Sequence, residues 1–426
     1  MIASTLKSKW ASFDFLGPAA ILFLSVNIAN VANLLFNMLF ARLMTPAQFA
    51  DLTLLLTIKL GILSLFTAIQ FAVSEIAASQ PNEAAAKTFA ARLSRVSFTY
   101  SLPLCFLMLV CVESLCQTFN LADWKAVAIL CAAIPLFLPM VIYRGLAQGR
   151  IDVKKMVGSV QSEWIIRLAG CWILYQAGFG LLGIAVALVL SIIAAFVFAL
   201  DKDDAACLVA SKPAMGAKHR SLLHTSLPYG VLCFAQIIAL DSDILIAKAM
   251  FDSDSAGIAA GIMLIQRIFF FAFLSFAMIL QPIVSARNDA AHQFKSLWVL
   301  LSCVSFMSVC GIGVMALMPD LFVMIFLGEQ YAAAGTYVVL AGCIGASFTI
   351  AHLCTVFLIA KGRPNAPLLL LTFVTLHICA NLTAFNTMLD YNLGEYLSIK
   401  AVIVGLGALS VASYTFWDAL RMKRTA

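Results

Sequence analysis

Four cations of this sequence, Lys59, Arg167, Arg267 and Lys400, sit inside long apolar runs, and so do Asp241 and Asp243 in the stretch ALDSDILIAKAM. A charge facing lipid at mid-bilayer costs about 2.5–3.5 kcal/mol even on the lenient insertion scale, so such groups face a bundle interior, a watery cavity or a partner. Cations in that position can hold an anionic group, and carboxylates can neutralise them or carry a coupling ion. Glu163 lies one turn before Arg167 in EWIIR and can pair with it. Lys400 falls near the start of its run and can snorkel to an interface. Lys59 and Arg267 have no acid one turn away on their own helices and occupy similar places in the two halves of the chain, so both are expected to line one cavity. Asp241 and Asp243, two residues apart, point in different directions on a helix and are not expected to hold one ion together. Two roles stay open for them: pairing with Arg267 or Lys59 from a neighbouring helix, or carrying a coupling proton.

Two further sets are polar in pattern. Asn27, Asn30, Asn33 and Asn37 are spaced three, three and four apart, which is one helical face. Buried amides glue helices together, but four along one span read better as the lining of a route for a hydroxyl-rich solute. Arg144, Arg150, Lys154 and Lys155 form a basic patch at the cytoplasmic end of a span, either a topology determinant or an entrance for an anion. No metalloprotease HExxH, phosphate-binding Walker loop or serine elbow occurs, and the five histidines are scattered. The twelve cysteines include no CxxC pair. They read as small hydrophobes, not as a metal site or disulfide framework. The chain is expected to be no enzyme, to hold no metal or cofactor, and to bind no nucleic acid.

The elements that must position these groups follow from composition. Of 426 residues, 63% are hydrophobic and 11% charged, with a mean hydropathy of +0.99. A soluble domain carries roughly 25% charged residues. The apolar runs are continuous, which excludes a barrel of alternating strands and predicts a polytopic helical membrane protein. Spans are expected at 17–41, 52–76, 96–117, 124–147, 157–177, 179–200, 221–247, 257–283, 297–318, 332–360, 365–388 and 396–418. Residues 321–331 are too short to cross and should form an interfacial helix. Twenty of the 27 Lys and Arg residues fall at the two termini and at the loops after even-numbered spans, against three (Arg42, Lys125, Lys248) on the other side. That asymmetry places both termini in the cytoplasm. Six spans (1–200), a polar linker (201–220) and six more (221–426) predict two bundles. With an even number of spans in each, the repeat is parallel, about an axis along the membrane normal. Residues 40–59 and 246–267 echo one another across it.

The turn ARLMTPAQFADLTLLLTI resembles the first-loop signature of the polysaccharide transporter family, the O-antigen and lipid-linked oligosaccharide flippases of the multidrug/oligosaccharidyl-lipid/polysaccharide exporter superfamily. YRGLAQGRIDVKK (143–155), LDSDILIAKAMFDSDSAGIAAGIMLIQRI (240–268) and LFVMIFLGEQY (321–331) extend the resemblance over the full chain, each loosely. Ala50 stands where family members often have glycine, while Gly257 keeps it. The resemblance implies two six-helix bundles in a V around a central cavity. It also implies transfer of an undecaprenyl-pyrophosphate-type oligosaccharide to the periplasmic leaflet of a bacterial inner membrane by alternating access, with membrane lipids and a polysaccharide polymerase as the expected partners. On it, Lys59, Arg267 and Arg167 would hold the pyrophosphate and the Asn27–Asn37 face would line the sugar path. Asp241, Asp243 and Glu163 would serve charge pairing or coupling to a proton or sodium gradient. The alternatives are an ion-coupled multidrug or organic-cation antiporter of the same superfamily and a membrane glycan polymerase or ligase. The net-basic set of mid-span charges disfavours the first, and the lack of a large periplasmic loop disfavours the second.

Overall fold

A chain this apolar must satisfy its backbone hydrogen bonds within each segment once in lipid, and helices do so. The computed structural model describes residues 2–121, 123–210, 218–285 and 290–425, and every regular element among them is helical. In the first part of the chain these are α1 (Ile2–Leu43), α2 (Pro46–Ala78), α3 (Glu83–Val110), α4 (Val112–Thr118), α5 (Trp124–Ala132), α6 (Ile134–Gly149), α7 (Val153–Leu174), α8 (Gly180–Ala199) and the short α9 (Lys202–Ala210). They continue with α10 (Lys218–Met250), α11 (Ser253–Ser285), α12 (Ala290–Leu317), α13 (Pro319–Phe326), α14 (Val338–Ala360), α15 (Ala366–Thr387) and α16 (Leu393–Thr425). A π-helical turn, Tyr175–Phe179, joins α7 to α8, and a 3-10 segment, Glu329–Tyr337, leads into α14.

Ten stretches among the described residues are long and apolar enough to cross a membrane, and the pair α5–α6, bent by 44°, supplies an eleventh. One of the ten, Val153–Ala199, is 47 residues long, too long for one crossing. It turns back at Gly178 (φ 85°) and Gly180 (φ 55°), left-handed positions that glycine tolerates. The contacts prove the reversal. Ser159 donates to the Ala195 carbonyl at 2.7 Å, a Cβ on Gly170 would lie 3.1 Å from that of Ala187, and the Cys171 thiol faces the Ile184 carbonyl at 3.9 Å. Partners descend as α7 ascends, so α7 and α8 form an antiparallel hairpin, and the crossings number twelve, as expected from sequence.

Capping explains where several helices begin. Thr45 and Gln48 exchange backbone–side-chain bonds of 3.3 and 3.2 Å ahead of α2, a capping box with Pro46 at the first helical position. Asn82 accepts from the Ala85 amide at 2.8 Å and starts α3 at residue 83, well before the expected 96. α1 likewise extends beyond the expected 17–41 at both ends. The stretch 201–220 is not a plain linker, because its first half is α9, docked on α3. Residues 211–217 lie outside the described residues. Of the stretch expected as one short helix at 321–331, the part up to Phe326 belongs to α13 (Pro319–Phe326), while residues 329–331 open the 3-10 segment.

The chain divides into two compact units. The first comprises residues 1–33, 65–117 and 121–227. At its centre Gly145 and Gly149 of α6 lie against Gln70, Val73, Ser74 and Ala77 of α2, so close that a Cβ on Gly149 would stand 2.2 Å from the Ser74 carbonyl oxygen. Small residues four apart let membrane helices approach in this way, which gives the motif YRGLAQGR a structural reason. The second unit comprises 34–64, 118–120 and 228–426, so the tip of the α1–α2 hairpin packs with α10 to α16. Its core is built on α11, α14 and α16, and Gly345 of α14 approaches the backbone of Gln266 on α11.

Candidate functional site

The second unit holds the densest set of buried ions. Asp243 of α10 receives Lys400 of α16 on both carboxylate oxygens, at 2.6 and 2.7 Å, with the Tyr396 hydroxyl at 2.5 Å and the Gln266 amide at 3.0 Å. The same lysine also donates to the Ala239 carbonyl at 2.7 Å and to Gln266 Oε1 at 3.1 Å. Lys400 is fully buried. The expectation that it snorkels is therefore wrong: a ready-made set of acceptors inside the bundle outcompetes a stretched side chain at the interface. Tyr396 and Lys400 are four apart on α16, one helical face, and that spacing was a signal available in the sequence. Gln266 carried no signal, since a glutamine beside an arginine is unremarkable.

Two residues earlier on α10 the bonding is sparser. Asp241 pairs with Arg267 of α11, whose other terminal contact is the Thr57 hydroxyl at 3.5 Å. Asp241 draws its hydrogen bonds from Arg267 alone among the described residues. The two carboxylates thus take different partners on different helices, as their spacing implied. Lys59 is fully buried in the same unit. His377 of α15, also fully buried, lies within electrostatic reach of Asp243 and Lys400. Beyond it the Asn381 amide donates to the His377 carbonyl at 2.9 Å, and Tyr391 donates to Asn381 at 2.6 Å.

The first unit buries a smaller set. Glu163 gives its ion pair to Arg144 at 2.9 Å, and Arg144 also donates to Ser159 Oγ at 2.8 Å and to the Ser159 carbonyl at 3.0 Å. The guanidinium of Arg167 stacks over the Trp164 ring, 3.3 Å from its centroid. Glu163 therefore bridges α7 to α6 through Arg144, and it also lies within electrostatic reach of Arg167, the partner that its spacing offered in its own helix.

The basic patch is correspondingly altered. Arg144 is buried, Lys155 turns into an acidic cluster, and Arg150 binds the Asn82 carbonyl, leaving Lys154 exposed. In that cluster Lys155 holds Asp201 at 2.8 Å and Asp204 at 2.5 Å, and Lys87 holds Asp201 at 3.2 Å. Burial opposes ionisation of Asp201, but the Lys155 ammonium, the Asp204 amide and Lys87 overcome it and hold that carboxyl well below its usual range. Asp204 is pushed up by burial despite Lys155. Arg95 fastens the far end of α9 through the Leu208 and Val209 carbonyls, both at 2.8 Å. Of the amide face, Asn27, Asn30 and Asn33 are partly buried in the first unit, and Asn37 is buried in the second.

This architecture has known counterparts. It is similar to an inward-facing multidrug resistance MATE family transporter of the MOP superfamily, with a TM-score of 0.81, 14% identity, and coverage of 96% of this chain and 99% of that one. A eukaryotic MATE transporter matches with a TM-score of 0.66 and 12% identity over 95% of this chain and 98% of its own. A MOP superfamily transporter from Pyrococcus furiosus, described as having a binding pocket of reverse polarity that suggests a different function, matches at 0.69 and 12% over 95% and 96%. The fold is that of these multi-pass transporters. No model of a known protein family matches the sequence, and no curated protein does.

Proposed function

We propose that this chain is an ion-coupled secondary transporter working by alternating access, in which the Asp241–Arg267 pair is the element that changes partners. The observation that carries this is the contrast between the two buried carboxylates. Asp243 is saturated by Lys400, Tyr396 and Gln266, whereas Asp241, among the described residues, takes its hydrogen bonds from one arginine, with Lys400 within electrostatic reach. A carboxylate with one exchangeable partner can release it to a proton or sodium ion, and each state leaves different charges to be matched. Antiport of an organic cation is the first reading for the cargo, supported by the fold likeness to transporters described as multidrug resistance proteins.

A second reading is movement of a polyprenyl-pyrophosphate-linked oligosaccharide. It is favoured by the mid-span charges of the second unit, three cations (Lys59, Arg267, Lys400) against two carboxylates, and by the sequence resemblance already described. On this reading Lys59 and Arg267, both buried in the second unit, would hold the pyrophosphate, Arg267 by exchanging Asp241 for it. The membrane is then a bacterial inner membrane with both termini cytoplasmic.

Reconstituted vesicles separate the readings. With an imposed proton or sodium gradient, ethidium flux is expected if the cargo is an organic cation. Transbilayer movement of a fluorescent polyprenyl-pyrophosphate oligosaccharide, lost in Lys59→Ala, is expected if it is a glycolipid. Gradient-independent flux in the wild type, unchanged by neutralising Asp241 and Arg267 together, would sink the coupling role.

A further inference from the structure

On the charge asymmetry, α12 begins and α16 ends at the cytoplasmic face, and the turn between α14 and α15, residues 361–365, lies there too. All three belong to the second unit. Aromatic rings join the two helix ends. Phe416 of α16 meets Trp298 of α12 at 4.8 Å and Phe294, edge-on, at 5.7 Å. Trp417 stacks with Tyr414 at 6.1 Å. Trp298 and Trp417 stay about half exposed, at 48% and 54%. The apolar stretches of these helices run from Gln293 to Leu317 and from Leu393 to Ala419. The rings therefore stand within about two turns of the span ends, the level at which tryptophan and tyrosine favour the headgroup layer.

The charges around these rings do not balance. Among the side chains described at this end of the unit, Lys295, Lys361, Arg363 and Arg421 stand against one acid, Asp418. Asp418 is buried and accepts from Arg363 at 2.7 Å. Arg421 holds its guanidinium over the Trp417 ring, 5.5 Å from the centroid, which keeps a cation beside an exposed indole. Lys361, half-buried, donates to the neutral Gln293. Burial pushes the Lys361 ammonium below the ordinary lysine value; Asp418 opposes this, and the Arg363 charge adds to it. The one acid is shared, and this end of the unit is short of an anion.

A lipid phosphate meets both conditions, the depth and the charge. Basic residues beside a span end attract the anionic lipids of the cytoplasmic leaflet, and acyl chains can run along the exposed Trp298 and Val299 of α12. We propose that the cytoplasmic ends of α12 and α16, with the turn after α14, form a binding site for the headgroup of an anionic phospholipid. Lys361 and Arg421 take its charge, Lys295 lies at the rim, and Arg363 stays on Asp418. The tryptophans bed the first methylenes of the chains. The site is independent of the cargo and of its coupling.

Native mass spectrometry of the full chain tests this by titration with phosphatidylglycerol, phosphatidylcholine or inorganic phosphate. The wild type should bind its first phosphatidylglycerol more tightly than phosphatidylcholine, and inorganic phosphate more weakly than either. Each cation removed should weaken phosphatidylglycerol binding roughly fivefold. Lys361→Gln with Arg421→Gln should thus cost about 25-fold and leave phosphatidylcholine binding where it is. Arg363 is left in place because its loss would strand the buried Asp418. Lys154→Gln removes an exposed cation of the first unit and should change neither lipid's binding. Should the double variant fail to fold, Lys295→Gln at the exposed rim tests the site alone, with a loss of about fivefold expected. Equal affinity for the two lipids, or a weakening by Lys154→Gln as large as that of the site variants, overturns the site. Inorganic phosphate bound as tightly as phosphatidylglycerol would give these cations to a soluble anion and reject the lipid.

Discussion

Lys400 shows how far a buried charge is defined by what lies opposite it. Its ammonium is surrounded by the Asp243 carboxylate, the Ala239 carbonyl and Gln266, with Tyr396 on the same carboxylate. Removing one member leaves an uncompensated buried ion, which costs about 3–5 kcal/mol, whereas replacing both with apolar groups of similar volume is often neutral. Lys400→Met should therefore lower the thermal midpoint in detergent sharply, by a destabilisation of about 3–5 kcal/mol. Lys400→Met with Asp243→Leu should recover much of the loss. A single variant as stable as wild type would mean that water reaches the carboxylate. The charges themselves were legible in the sequence because charged residues inside apolar runs stand out. Their partners were not: Lys400 and Asp243 are 157 positions apart, and no local spacing reports such a contact.

Helices place these groups, and two of the placements can be tested. Gly345 allows α14 to lie against α11, since a Cβ there would stand 2.7 Å from the Gln266 carbonyl oxygen and 3.2 Å from its Cα. Gln266 bonds both Asp243 and Lys400, so Gly345→Ala should displace the network as well as the helix. A loss of about 1–3 kcal/mol is expected, read as a lower thermal midpoint. Gly61, where a Cβ would meet nothing within 4 Å, serves as the control, and Gly61→Ala should leave the midpoint where it is or raise it.

The second case is α9. Asp201 has a depressed carboxyl, so its contribution to docking is complete above the ordinary carboxylate range and is lost as pH falls through its lower, folded value. Exchange of residues 202–210 should thus not rise from neutral pH down to about pH 4, after correction for intrinsic rates, because protonation of the raised Asp204 favours docking, and should rise only in stronger acid. Lys155→Met should bring that rise to higher pH. A rise centred near pH 6 in the wild type would contradict the assignment. Spans, hairpins and a short helix near α13 were readable from apolar length and turn residues. α9 was not, because a nine-residue helix with two acids, preceded by a third at Asp201, reads as linker until Lys87, Lys155 and Arg95 are seen to meet it.

At the scale of the whole molecule, the twelve-span fold was written in hydropathy and charge asymmetry, while the membership of each helix in a unit was not. α1 and α2 each pass from one unit to the other part-way along, at 33–34 and 64–65, and nothing in composition marks those points. The buried ion pairs pose the sharper question of why they are kept at all. A pair retained for stability should be hard to replace, but buried pairs are often no better than apolar or neutral substitutes. Asp241→Asn with Arg267→Gln removes both charges and keeps two groups able to hydrogen-bond across α10 and α11, so it should fold with a thermal midpoint equal to or above that of wild type. The same protein should lose gradient-driven flux of whichever cargo the wild type moves, because no carboxylate remains to exchange its arginine for the coupling ion. Asp243→Asn with Lys400→Gln, which neutralises the saturated pair, should retain a gradient dependence. Equal loss of coupling in both double variants would assign the exchange to the network as a whole and remove Asp241 from its special place. Loss of stability in the Asp241–Arg267 variant, with coupling intact, would make that pair a structural one.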